Sequence, residues 1–275
     1  MLNNNKIPKL FQFANQLVSI EEFGIPAKVI NLDILPDHLK PSKIRDEIPT
    51  LNRMGYMKID LDEFSEEFIK NSAESIEPVL EIGCAYGFIA QKILQKGGKF
   101  IACDLSHEHL TILLKQTFKE NIENLYLYPG KFPNEILLPE NSISNIFASR
   151  IFHFLTGDEI EIALNKIHKW LVDKGKFYFI ALTPYHDSIK EEFLSTYQKN
   201  VAENVKWPGV IENQWLINPS HKEYVEPYLH VFDIPQLDEL LPKHGFKIDK
   251  IKYMNYPDDT TGGDKGHVGF VVTKI

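Results

Sequence analysis

From residue 78 onward, short apolar runs alternate with segments whose apolar residues recur at helical spacing. Pro78-Val-Leu-Glu-Ile82, closed by Gly83, reads as a buried strand. Ile89, Ala90, Ile93 and Leu94 then mark one helix face, ended by Gly97-Gly98. Phe100-Ile-Ala-Cys103 is the next strand, with Asp104 at its carboxyl end. Ser106 is placed to cap a helix whose face is Leu110, Leu113, Leu114 and Phe118. Leu125–Leu127 and Asn145–Ser149 read as strands; Ile160, Leu164, Ile167 and Leu171 predict an amphipathic helix stopped by Gly175; Lys176–Leu182 is again a strand. A helix over Pro235–His244 carries Leu237, Leu240 and Leu241 and is stopped by Gly245. Two strands close the chain, near Ile248–Tyr253 and His267–Thr273.

Strands separated by helices bury both faces of a sheet, which predicts an α/β fold with seven strands, mostly parallel, and helices on both faces. No helix separates the final pair, so they are expected to form a C-terminal antiparallel hairpin.

Two stretches depart from the alternation. Residues 1–62 carry Pro8, Pro26, Pro36, Pro41 and Pro49, which break helices into short pieces, and read as an N-terminal extension. A helix around Phe64–Ser75 follows and opens the main domain, 63–275. Residues 183–232 interrupt the pattern after the fifth strand and carry Tyr185, His186, Tyr197, Trp207, Trp215, His221, Tyr224, Tyr228 and His230. Such a segment sits over the carboxyl end of the sheet and is expected to form a lid that excludes water, or a subdomain whose aromatics make their own core.

Composition narrows the partners. Hydrophobic content of 43% and charged content of 25% are ordinary for a globular chain. No apolar run approaches the roughly 20 residues that cross a bilayer, and the N-terminus lacks a signal peptide's apolar core. With only Cys84 and Cys103, the expectation is buried reduced thiols and a cytoplasmic protein. The formal charge of -8, without clustered Lys and Arg, argues against a nucleic-acid partner.

The candidate chemistry starts at Gly83-Cys-Ala-Tyr-Gly87. Small residues there let the backbone turn sharply and approach a ligand, and the next helix aims its N-terminus over the turn. Asp104 lies at the tip of the neighbouring strand, where it could accept hydrogen bonds from two ribose hydroxyls. That geometry suits any adenosine-containing cofactor. A dinucleotide fingerprint counted from Gly83 would need its third glycine at Phe88, where an aromatic ring obstructs helix-strand packing.

Glu81-Ile-Gly-Cys-Ala-Tyr-Gly87 resembles instead the E/D-x-G-x-G-x-G signature of the class I S-adenosylmethionine-dependent methyltransferases, with Ala85 at the middle glycine. Leu138–Leu155 is similar to that family's approach to strand four, Lys174-Gly-Lys-Phe-Tyr-Phe179 to its approach to strand five, and Leu240–Phe246 to its L-L-x-x-A-G-F, with His244 at the alanine. The resemblance spans most of residues 75–275 and implies a Rossmann-like fold with S-adenosylmethionine as cofactor. It implies binding residues Glu81, Gly83, Cys84, Ala85, Tyr86 and Gly87 from the first turn and Asp104 and Leu105 from the second strand. Gly130, Lys131 and Phe132 would face adenine, and Ser149 and Arg150 would follow strand four. Two positions depart from the family pattern: Asn145 stands where Asp often begins strand four, and Lys131 where Asp usually follows Gly130.

Methyl transfer is an in-line displacement that rests on alignment and, where required, proton removal. His153 follows strand four and is the candidate base, or else a packed histidine; Arg150 could orient a carboxylate or serve in an ion pair. Arg53 and Tyr56 are candidate pocket residues from the extension. Neither an N-P-P-Y motif nor a P-C motif is present, and no carboxylate cluster for a metal can be assembled. These features predict a methyltransferase acting on O, N or C of a small organic molecule. The alternatives are a protein methyltransferase, a non-catalytic cofactor-binding domain and, last, a dinucleotide oxidoreductase.

Overall fold

The computed structural model describes residues 9–43, 47–254 and 263–275. Its centre is a sheet of seven main strands: β1 (Val79–Ile82), β2 (Phe100–Asp104), β3 (Leu125–Pro129), β4 (Ile143–Ser149), β5 (Leu171–Leu182), β6 (Phe246–Met254) and β7 (His267–Lys274). They lie in the order β6-β7-β5-β4-β1-β2-β3, and a two-residue strand, Ile25–Pro26, adds an eighth at the β3 edge. β1 to β5 pair in parallel, and β7 runs antiparallel between β5 and β6. The expected hairpin is therefore present, inserted so that its second strand contacts β5.

Period-two burial explains why both faces need cover. Leu80, Ile82, Ile101 and Cys103 point into one apolar cluster, while Val79, Phe100 and Ala102 point into the other. α4 (Gly157–Trp170) and α6 (Ile234–Lys243) cover the first face. The second is covered by α1 (Glu63–Ser72), α2 (Phe88–Leu94) and α3 (His107–Gln116). Phe68 of α1 stacks on Phe147 of β4 at 5.0 Å, and Phe179 of β5 on its register partner Phe270 of β7 at 4.5 Å. Losing one such ring to alanine typically costs about 3–5 kcal/mol.

Helix ends follow local chemistry. Asp62 accepts from the Phe64 and Ser65 amides at 2.9 Å, Ser106 caps α3, and Thr156 with Glu159 forms a capping box on α4. Two expectations need correction. α3 ends at Gln116, so Phe118 lies beyond it and is 56% exposed. α4 ends at Trp170, not at Gly175; Gly175 instead sits in the irregular start of β5, where a Cβ would meet the Ser144 and Val172 carbonyl oxygens at 2.9 Å. No helix bridges β3 and β4, which are joined by turns.

Before α1 the chain forms two small hairpins, Lys9–Phe13 with Gln16–Ile20 and Glu47–Pro49 with Tyr56–Lys58. Phe13, Val18 and Ile25 pack with Leu110, Leu113 and Leu114 of α3. Pro8 lies outside the described residues. Between β5 and α6, α5 (Lys190–Ala202) and the pairing of Val210–Ile211 with Leu229–His230 enclose a separate cluster of Ile189, Phe193, Tyr197, Ile211, Leu229 and Val231. No described helix is long and apolar enough to cross a membrane.

Candidate active site

The turn after β1 is held in a conformation that favours glycine. Gly83, Ala85 and Gly87 have φ of 76°, 45° and 78°. A Cβ at Gly83 would fall 2.1 Å from Ile151 Cδ1, and one at Gly87 2.2 Å from Leu113 Cδ1. Ala85 tolerates the left-handed conformation with its methyl group. The amides of Gly83 and Cys84 donate to the Cys103 carbonyl at 2.8 and 3.0 Å, fastening the turn to the end of β2.

Asp104 is 6% exposed and already has three donors. Its Oδ2 accepts from the Ala85 amide at 2.8 Å, and its Oδ1 accepts from the Ser106 amide at 2.8 Å and faces His109 Nδ1 at 3.0 Å. A carboxylate offers about four lone-pair sites, so one remains, on Oδ2. The Leu51 amide donates to His109 Nε2 at 3.1 Å, which assigns the ring proton to Nδ1 as donor to Asp104.

The carboxyl ends of β1 to β4 open on a cavity of about 680 Å³. Glu81, Gly83, Cys84 and Ala85 line it from the first turn; Asp104 and Leu105 from the second; Gly130, Lys131 and Phe132 after β3; Ser149 and Arg150 at the end of β4. Three expected residues do not line it. Tyr86 is buried to one side, its hydroxyl donating to the Pro49 carbonyl at 2.8 Å. Gly87 opens α2. His153 is 3% exposed and lies outside the lining, and burial, followed by the nearby Arg150 charge, pushes its pKa down to about 3. The ring is therefore neutral and turned away from the cavity in which an acceptor would sit.

The wall carries further electrostatic features. Burial, and secondarily Asp104, raises the Glu81 carboxyl well above its usual range, and its Oε2 has no hydrogen-bond partner. Burial also raises both thiols, so Cys84 and Cys103 stay protonated rather than nucleophilic. Lys131 pairs with Glu159 at 3.7 Å. Arg150, at φ 57°, directs Nε toward His267 Nε2 at 3.5 Å. Among the described residues no group of three or more His, Cys, Asp or Glu could hold a metal ion.

Tyr56, expected as a pocket residue, and Tyr228 of the aromatic segment do line it, beside neighbours that carry no motif by which sequence reasoning could find them. Thr50, Asn52, Met54, Tyr56, Met57 and Lys58 come from the second N-terminal hairpin, and Glu226, Pro227 and Tyr228 from the 183–232 segment. The two meet where the Gly55 amide donates to the Tyr224 carbonyl at 2.9 Å and the rings of Tyr56 and Tyr224 lie 5.5 Å apart. Arg53 is exposed and does not line the cavity. Of the aromatic and histidine residues noted in that segment, Tyr228 alone lines it. Tyr185 and Tyr197 donate to Asp233, Trp207 meets His230 edge-on at 5.2 Å, and Trp215 Nε1 donates to the Val225 carbonyl. The side chain of His221 lies outside the described residues.

Residues 79–175 match a family model described as a methyltransferase domain. That match runs from β1 to the irregular start of β5, the strands that frame the cavity. No curated protein matches the sequence. Among solved structures, the chain is similar in fold to an S-adenosylmethionine-dependent methyltransferase from Methanosarcina mazei, with TM-score 0.60 and 15% identity over 78% of this chain and 99% of that one. A second, from Mesorhizobium loti, gives TM-score 0.56 and 13% identity over 77% and 98%. A third is the 1,6-didemethyltoxoflavin-N1-methyltransferase of Burkholderia thailandensis, solved with 1,6-didemethyltoxoflavin and S-adenosylhomocysteine. It gives TM-score 0.54 and 15% identity over 77% and 76%.

Proposed function

We propose that this methyltransferase moves a methyl group from S-adenosylmethionine to an oxygen, nitrogen or carbon of a small organic molecule. The observation that carries the reading is the roof: the Tyr56–Tyr224 contact and the Gly55–Tyr224 hydrogen bond join the N-terminal hairpin to the inserted segment above the cavity. A protein methyltransferase needs an open groove for a chain to lie in. The bound 1,6-didemethyltoxoflavin of the Burkholderia thailandensis enzyme is an acceptor of the kind such a cavity suits.

In this reading residues 63–275 form the catalytic domain, 1–62 an extension that closes one side, and 183–232 the lid. Asp104 Oδ2 takes a ribose hydroxyl. Leu105, Gly130, Lys131 and Phe132 flank the adenine. The backbone of Gly83, Cys84 and Ala85, with Glu81, Ser149 and Arg150, holds the methionine end. The unpartnered Glu81 oxygen supports this: a buried carboxyl beside the turn gains a partner when an ammonium group arrives. The sulfonium group supplies an activated methyl. The protein's task is to align the acceptor and keep water out, for which Tyr56 and Tyr228 provide apolar walls. The buried reduced thiols fit a cytoplasmic setting.

The test is release of S-adenosylhomocysteine across a panel of small phenols, amines and carbon acids, beside a panel of proteins. Turnover with a small molecule is expected. Turnover with proteins alone would overturn the assignment.

A further inference from the structure

Two buried rings join the roof to the cofactor side of the cavity, Tyr86 from the glycine-rich turn and His109 beside Asp104. His109 is 1% exposed and lines the cavity beside Asp104. On one side its Nε2 accepts from the Leu51 amide at 3.1 Å, in the loop of the Glu47–Lys58 hairpin. On the other, Nδ1 faces Asp104 Oδ1 at 3.0 Å, while Asp104 Oδ2 accepts from the Ala85 amide at 2.8 Å. Tyr86 packs edge-on to the ring at 4.9 Å and separately tethers the hairpin through the Pro49 carbonyl at 2.8 Å.

We infer that His109 is a positioning residue that couples cofactor binding at Asp104 to closure of the hairpin; this rests on the reading that Asp104 takes the ribose. The physical basis is preorganisation. With the hairpin closed, the Leu51 amide fixes the ring plane, the ring fixes Oδ1, and the one spare lone pair on Oδ2 is held facing the cavity. With the hairpin open, the ring and carboxylate regain freedom that binding must remove again. Coupling is reciprocal, so a cofactor that prefers the fixed carboxylate must also favour the closed hairpin. Thr50, Asn52, Met54 and Tyr56 then meet the acceptor only after the cofactor is in place, which orders binding.

The variant that isolates the relay is Leu51→Pro. The Arg53 amide donates to the Thr50 carbonyl at 3.3 Å, so Leu51 is the second residue of a tight turn, where proline fits and only the donor is removed. The experiment follows deuterium exchange of residues 47–58 with and without saturating S-adenosylhomocysteine, beside its Kd by calorimetry. In the wild-type chain the ligand is expected to slow hairpin exchange about fivefold or more. In Leu51→Pro, and in His109→Asn, whose amide still reaches toward Asp104 but offers Leu51 nothing, the ratio should fall to near unity. Tyr86→Phe, which cuts the other tether, should speed exchange in both states and keep the ratio. S-adenosylhomocysteine that binds without slowing the wild-type hairpin, or a ratio preserved in both relay variants, would overturn the relay alone. No binding to the wild-type chain would remove the cofactor reading and the relay with it.

Discussion

The amide of Ala85 donates directly to Oδ2 of Asp104, at 2.8 Å, so the middle of the first turn and the end of β2 form one unit. What matters at position 85 is its N–H, and a methyl side chain is compatible with that. Asp104→Ala leaves this amide, the Ser106 amide and His109 without their acceptor. Hydrogen bonds to a charged group contribute about 1.5–3 kcal/mol, so S-adenosylhomocysteine binding should weaken roughly 10- to 100-fold and the melting temperature should drop. Calorimetry and a thermal melt on the same sample check both; unchanged affinity in a folded variant would show that the ribose lies elsewhere.

Gly87 and Leu113 test the turn itself. At φ 78°, with Leu113 Cδ1 2.2 Å from an added Cβ, Gly87→Ala combines left-handed strain of about 1–2 kcal/mol with overpacking of about 1–3 kcal/mol. Urea unfolding should show a loss of about 2–5 kcal/mol. Shortening the neighbour relieves only the second part, so Gly87→Ala with Leu113→Ala should be less destabilised than the sum of the single changes. Strict additivity would mean the close approach is absent in solution.

Much of this was legible in the sequence, for physical reasons that also mark where legibility stopped. β1, β2 and α2 are fixed by local pattern and by glycines at positive φ, so Gly83 and Asp104 could be placed on the cavity from their positions at the strand ends, whereas Gly87 serves the turn and the start of α2. His153 was left open between base and packed histidine because position after a strand does not say which way a side chain points; here it turns into the protein. Gly175 misled because a glycine before a strand can belong to an irregular strand start as well as to a helix end. Thr50, Tyr56 and His109 were hidden or weakly marked because their roles depend on two segments meeting in space, with the Leu51–His109 contact spanning 58 positions.

Buried histidines set an acid limit on stability. Burial holds His153 at a pKa of about 3 and His230 at about 4, and keeps His267 well below its ordinary value. Unfolded histidine titrates near 6.5, so between about pH 6.5 and those folded values the unfolded chain binds more protons. Their contribution is present in full above pH 6.5 and is lost as the pH falls, by up to about 1.4 kcal/mol per pH unit for each ring. Urea midpoints at pH 7.5, 6.5 and 5.5 should fall in that order, and His153→Leu should flatten the slope. A midpoint that rises toward pH 5.5 would contradict these burial assignments.

Asp233 anchors the inserted segment away from the cofactor. It accepts from Tyr185 at 2.7 Å, from Tyr197 at 2.9 Å and from Tyr253, and its Oδ1 also accepts from the Ile234 amide at 2.8 Å. Removing a shared buried acceptor strands several donors, at about 1–3 kcal/mol each where water cannot replace it. Asp233→Ala should loosen residues 183–232, raise the KM for the acceptor several-fold and leave the S-adenosylhomocysteine Kd within about twofold. A Kd that rises as much as KM would mean the segment supports the cofactor pocket instead.

The cavity beside Gly83 and Asp104 is where S-adenosylmethionine should bind. Calorimetric titration of the wild-type chain with S-adenosylhomocysteine, beside NAD and NADP, tests it most directly. One S-adenosylhomocysteine site per chain is expected, with no heat from either dinucleotide. Saturable binding of NAD or NADP with none of S-adenosylhomocysteine would contradict it.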